Sequence, residues 1–243
     1  MIPVLTRKEA YGLDKKTIES GYLSERKLLD NAGKVVAQFF CEKISNPFEQ
    51  KVIIVCGKGS NGKDGVIAHA YLKKYNVSSM LLFVDKKNIH QNLLKYYKVP
   101  KADYTIIDYR KNINTYFNKD YWIIDAIFGI GLSRAINSRY GLVIKNINKY
   151  DKVISIDIPS GLFTDSNKSN CYVESKHVVS FEYPKLAHFV NCLNTLSIKQ
   201  IGFIKSDFNN IMLVLKTDIH QLIKEFRKKK VNPVSLTDNN FYS

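Results

Sequence analysis

Residues 52–75 read VIIVCGKGSNGKDGVIAHAYLKKY, and this stretch decides the fold. Val52 to Cys56 is a short β-branched apolar run without polar alternation, the pattern of a parallel strand buried on both faces. Glycines follow at once, and Val66 to Tyr75 resumes helical periodicity. Gly57, Gly59 and Gly62 satisfy G-x-G-x-x-G between strand and helix, and Asp85 stands about twenty residues on, as the dinucleotide fingerprint requires. Gly57 with Gly62-Lys63 also nearly completes a P-loop. Asp64 stands where that motif places the Ser or Thr that ligands magnesium, which largely excludes it. Both motifs share one physical content. Glycines let backbone N–H groups approach a phosphate, and a helix N-terminus adds favourable partial charge. The competing reading is a Gly-rich joint that only connects strand to helix.

Working outward, the intervals 8–19 and 25–44 have helical spacing, with Leu28, Leu29, Val35, Val36, Phe39 and Phe40 on the apolar stripe. Further strands are predicted over 80–84, 104–107, 122–124, 153–156 and 177–181, with a seventh around 198–204, and a polar helical segment over 92–97. Strands alternating with helices imply an α/β fold: a three-layer, Rossmann-like, mostly parallel sheet with helices on both faces. Residues 1–206 form the expected domain. Residues 207–243 form an extension with a candidate amphipathic helix over 219–226, a basic run over 227–230 and a polar end expected to be loose.

The 243 residues carry a net charge of +15, from 37 Lys and Arg against 22 Asp and Glu. That balance favours anionic partners. The lysines are spread along the chain, however, which argues for an anionic small molecule over nucleic acid as the main ligand. No apolar stretch is long enough to span a membrane, and residues 1–9 lack a secretory apolar run. Cys41, Cys56, Cys171 and Cys192 form no C-x-x-C pair, so free thiols in a reducing compartment, the cytoplasm, are expected.

Two later blocks separate the readings of the glycine turn. The stretch 125–134, DAIFGIGLSR, follows the fourth predicted strand, and 157–161, DIPSG, follows the fifth. Residues just past the carboxyl ends of parallel strands line one crevice. One aspartate there would be read as a helix cap, but Asp125 and Asp157, each beside Gly-rich neighbours, point to a site.

Together these blocks resemble the NAD(P)HX epimerase family, the YjeF N-terminal domain. The resemblance rests on 57–65, on 125–134, on 157–161, on Leu29-Asp30-Asn31-Ala32-Gly33, and on Phe181 with Pro184-Lys185; it runs from about Val4 to Ser206. It implies an isomerase that interconverts the R and S forms of NADHX and NADPHX for nucleotide repair. A partner dehydratase accepts one epimer, and a homodimer is the assembly the family suggests. It also implies a potassium ion held by Asn61, Asp125 and Ser160, whose oxygens suit a hard cation. Substrate contacts would come from Ser60, Asn61, Gly62, Lys63 and Asp64, from Gly129, Ile130, Gly131, Leu132, Ser133, Arg134 and Ala135, and from Asp157. Asp157 is the candidate acid/base group. Ser60, Lys63 and Ile130 depart from the family's Asn, Gly and Thr. An NAD(P)-dependent dehydrogenase would explain the glycines and Asp85 but not the two later blocks. A non-catalytic nucleotide- or RNA-binding scaffold of the same fold would not need Asn61, Asp64, Asp125, Asp157 and Ser160. Residues 207–243 are too few for a dehydratase domain, so the chain is expected to stand alone or to be the front of a longer one.

Overall fold

A computed structural model describes residues 2–165, 169, 171–190, 195–205 and 211–213. In chain order the strands are β1 (Ile2–Val4), β2 (Lys51–Cys56), β3 (Ser78–Phe83), β4 (Tyr104–Ile106), β5 (Trp122–Ala126), β6 (Val153–Ile156), β7 (His177–Phe181), β8 (Leu196–Lys199) and β9 (Ile211–Leu213). The helices are α1 (Arg7–Glu19), α2 (Glu25–Lys43), α3 (Ser60–Lys74), α4 (Gln91–Tyr96), α5 (Ser138–Ile147) and α6 (Leu186–Val190).

Seven strands form one parallel sheet in the order β4-β3-β2-β5-β6-β7-β8. Alternate residues of each strand feed two apolar layers. Val52, Ile54 and Cys56 of β2 join Leu81, Ile124 and Ile156 beneath α2 and α3. Ile53 and Val55 join Leu82, Ile123 and Val153 against Val143, Ile144 and Ile147 of α5. This double burial is why β2 reads as an unbroken apolar run. Phe39 and Phe40 of α2 are fully buried, each contributing roughly 1.5–3 kcal/mol. The helix starts are set locally: Thr6 and Glu9 form a capping box on α1, and the Ser24 and Asn137 side chains cap α2 and α5.

The α/β expectation is met, with every strand of the large sheet parallel. The seventh strand lies at Leu196–Lys199, earlier than the 198–204 expected, because it aligns with β7 through Val178↔Leu196. β1 pairs antiparallel with β9 in a separate ribbon, and at three residues each they gave no periodic signal. The three described cysteines, Cys41, Cys56 and Cys171, are free thiols. Cys192, the candidate helix over 219–226 and the basic run over 227–230 lie outside the described residues. No helix among the described residues is long and apolar enough to cross a membrane.

Chain order reverses between β2 and β5, so the loops after those strands flank a topological switch point, where open parallel sheets bind ligands.

Candidate active site

The glycine-rich stretch is shorter as a turn than its sequence suggests. α3 begins at Ser60, so Asn61, Gly62, Lys63 and Asp64 already lie in its first turns. None of Gly57, Gly59, Gly62 or Gly65 has positive φ. Glycine is required for space instead. A Cβ on Gly62 would stand 1.9 Å from the Gly57 carbonyl oxygen, and one on Gly57 2.0 Å from the Ile127 carbonyl oxygen. The α3 N-terminus therefore sits directly on the β2 and β5 loops. Gly59, its N-cap, supplies no side-chain cap. The first N–H groups of this 15-residue helix are left to a ligand or water, the arrangement that favours a phosphate.

Ser60 and Asn61 of this helix start line a cavity of about 540 Å³, together with Lys58 and Gly59, residues 127–134, Asp157 and Lys185, and parts of α1 and α2. Ser60, Asn61, Asp64, Gly129, Ile130, Gly131, Leu132, Ser133, Arg134 and Asp157 all contribute to its wall. Gly62, Lys63 and Ala135 do not. Lys63, helical and free of any φ conflict, pairs at 3.1 Å with Glu25 of α2, itself a residue of the wall. Ile130, where the family has Thr, packs against the apolar cluster of Leu5, Ala10 and Leu13. Lys58 and Arg134 line the cavity as cations suited to an anionic ligand.

Beneath the wall Asp125 is fully buried and accepts four hydrogen bonds. Oδ1 accepts from the Ser160 hydroxyl at 2.5 Å and from Ile127 N at 3.2 Å. Oδ2 accepts from Ser160 N at 2.8 Å and the Ser155 hydroxyl at 2.9 Å. Burial raises its pKa, against the lowering effect of those donors. Ser160 Oγ also accepts from Phe128 N at 2.8 Å and lies 3.2 Å from Phe128 O. Asp125 and Ser160 thus form one block that fixes the start of the 128–134 loop. Asn61, in contrast, is buried with neither side-chain atom bonded to protein. Its Oδ1 and Asp157 Oδ2 lie 3.5 and 3.1 Å from the place a Gly129 Cβ would take, so a side chain there would crowd both.

Asp64 and Asp157 have different surroundings. Asp64 is buried with Oδ1 unbonded, and burial, then the Asp157 and Asp14 charges, push its pKa well above the usual carboxylate range. Asp157 pairs with the buried Lys185 ammonium at 2.7 Å. Asp14 of α1 also lines the cavity, its pKa raised by burial and by Glu25 and Asp157. Sequence reading missed Asp14, which lies in no motif, Lys58, an unspecified position within the glycine motif, and His188, whose Nε2 lies 2.8 Å from the Asp157 carbonyl oxygen. It named Lys185 only within a turn. Asp85 lies outside the cavity wall, capping the following turn and pairing with Arg139 at 3.2 Å, which removes the residue a dehydrogenase reading depends on.

Residues 25–187 match the family model described as YjeF-related protein N-terminus. The chain is 31% identical over 186 residues to a bifunctional NAD(P)H-hydrate repair enzyme Nnr of Thermofilum pendens, covering 73% of this chain and 35% of that protein. It is 30% identical over 184 residues to an NAD(P)H-hydrate epimerase of Weissella koreensis, covering 73% and 78%, and 31% identical over 173 residues to that of Plasmodium vivax, covering 68% and 57%. The chain spans 35% to 40% of the length of the three bifunctional relatives. A crystal structure of the yeast protein ynu0 (YNL200c) superposes with a TM-score of 0.66 at 21% identity, over 82% of this chain and 88% of that one, which shows the shared fold. The chain belongs to the family of YjeF-related protein N-termini.

Proposed function

We propose that this protein is an NAD(P)H-hydrate epimerase, an isomerase that interconverts the R and S forms of NADHX and NADPHX. The observation that carries the reading is one cavity at the switch point. It joins an uncapped helix N-terminus, the cations Lys58, Arg134 and Lys185, and carboxylates among which Asp64 and Asp157 have unlike environments. The names of the relatives in the same family support it. The bifunctional relatives support a dehydratase as the functional partner.

The α3 N-terminus with Lys58 and Arg134 takes the phosphates, and the 129–134 loop closes over the dinucleotide. Inverting the hydrated ring carbon requires a bond there to break and re-form on the opposite face, with one proton delivered and one withdrawn. Asp157 performs that acid/base work through Oδ2, since Oδ1 is engaged by Lys185. Of the three residues that the family resemblance assigns to a potassium ion, Asn61 offers an unbonded buried amide oxygen, the observation that supports an ion there, while the Ser160 hydroxyl and the Asp125 carboxylate are engaged with each other and would have to share those bonds with the ion. Bound there, such an ion would supply fixed positive charge among the carboxylates.

The test is to add purified protein to the unreactive epimer of NADHX together with the dehydratase. Recovery of NADH beyond the spontaneous rate is expected, and no acceleration would refute the reading. Asp157→Asn is expected to abolish the acceleration while ligand affinity stays within a few fold.

A further inference from the structure

We propose that Lys185 and His188 are positioning residues that hold Asp157 in an otherwise disfavoured backbone conformation and aim one carboxylate oxygen into the cavity. The inference rests on the reading of Asp157 as the acid/base group. Asp157 follows β6 with φ +64°, in the left-handed region that L residues rarely adopt. No glycine supplies that freedom, so neighbouring contacts must hold it.

Those contacts are present on three sides. Asp157 N donates to Val179 O of β7 at 2.7 Å. The Asp157 carbonyl oxygen lies 2.8 Å from His188 Nε2, and Oδ1 accepts from Lys185 Nζ at 2.7 Å. Lys185 is buried and all three of its ammonium donors are used, the other two by Ser180 Oγ at 3.0 Å and Phe181 O at 2.9 Å. It has no proton left to offer a substrate, so its role is to hold.

His188 is linked to the same residue. Lys185 N donates to His188 Nδ1 at 3.0 Å, which makes Nδ1 an acceptor and leaves the proton on Nε2 to donate to Asp157 O. Burial and the Lys185 charge lower the His188 pKa to about 4, consistent with a neutral ring. The 184–186 segment is fixed in turn by Leu5: Leu5 N donates to Pro184 O at 2.8 Å and Leu186 N to Leu5 O at 3.3 Å. Backbone and carboxylate of Asp157 are thereby gripped by one short segment, while Oδ2 faces Gly129.

Lys185→Met is expected to lower kcat of the epimerase about 100-fold per folded molecule, with KM within about threefold, because the carboxylate is misaimed and the phosphate cradle untouched. Lys185→Arg, which keeps a cationic donor for Asp157 Oδ1, should recover part of that kcat. Retained kcat in Lys185→Met, or a KM that rises as much as kcat falls, would overturn the proposal. Should Lys185→Met fail to fold, His188→Leu and His188→Gln decide: the leucine variant should lose about tenfold in kcat, and glutamine, which keeps a donor, should recover part of it. Equal kcat in those two would refute the grip. A wild-type protein without epimerase activity would overturn the function reading and this inference together, whereas an active wild type with an unaffected Lys185→Met would overturn this inference alone.

Discussion

Ser160→Ala tests whether the Asp125 block holds the site together. The hydroxyl is fully buried, donates to Asp125 Oδ1 at 2.5 Å and accepts from Phe128 N at 2.8 Å. Alanine removes a hydrogen bond to a buried carboxylate, which contributes roughly 1.5–3 kcal/mol, and leaves the Phe128 N–H without that partner, which costs roughly 1–3 kcal/mol. Partial relaxation of the 128–134 loop offsets some of this, so a loss near ~3 kcal/mol is expected. For a chain of this size that corresponds to a fall in Tm of about 6–12 °C. Ser155→Ala is the internal control. Its hydroxyl donates to Asp125 Oδ2 at 2.9 Å and has no second role among the described residues, so its loss should be about half as large. Urea unfolding at pH 7 measures both. A Ser160→Ala loss below about 1 kcal/mol, or one no larger than that of Ser155→Ala, would refute the view that this hydroxyl anchors the loop to the carboxylate.

Asp64 supplies a pH test. Its folded pKa is raised above the reference value of 3.8, mainly by burial, so between those two values the folded state binds more protons than the unfolded state. Its contribution therefore falls as pH rises through the folded pKa and stays low above it. Asp64→Asn should be more stable than wild type at pH 7, with the gap closing toward pH 3.8; urea midpoints that differ equally at both pH values would contradict the assignment. Asp85→Ala removes an exposed pair with Arg139 that contributes at most about 1 kcal/mol. KM for the hydrated dinucleotide should stay within about twofold, and a large rise would restore Asp85 to the site.

Sequence alone determined the layering of the sheet. The apolar runs at Val52–Cys56, Trp122–Ile124 and Val153–Ile156, the last broken only by the buried Ser155, lack polar alternation because both their faces are buried, and that pattern is local. The loops after those strands were likewise legible as one crevice, because parallel topology sends consecutive carboxyl ends to the same edge. It did not show which members of the motifs face the ligand. Lys63 sits inside the glycine motif yet turns to Glu25, and Asp85 fits the fingerprint yet pairs with Arg139. Side-chain direction depends on where α3 begins and on what neighbouring elements offer, and neither is encoded in motif spacing. The tertiary structure also decided the unlike states of two aspartates. Asp64 and Asp157 look equivalent as letters, but Asp64 is buried with Oδ1 unbonded while Lys185, from beyond β7, pairs with Asp157. Burial and charge at a carboxylate depend on residues brought close by the fold, so that difference could be seen only once the chain was folded.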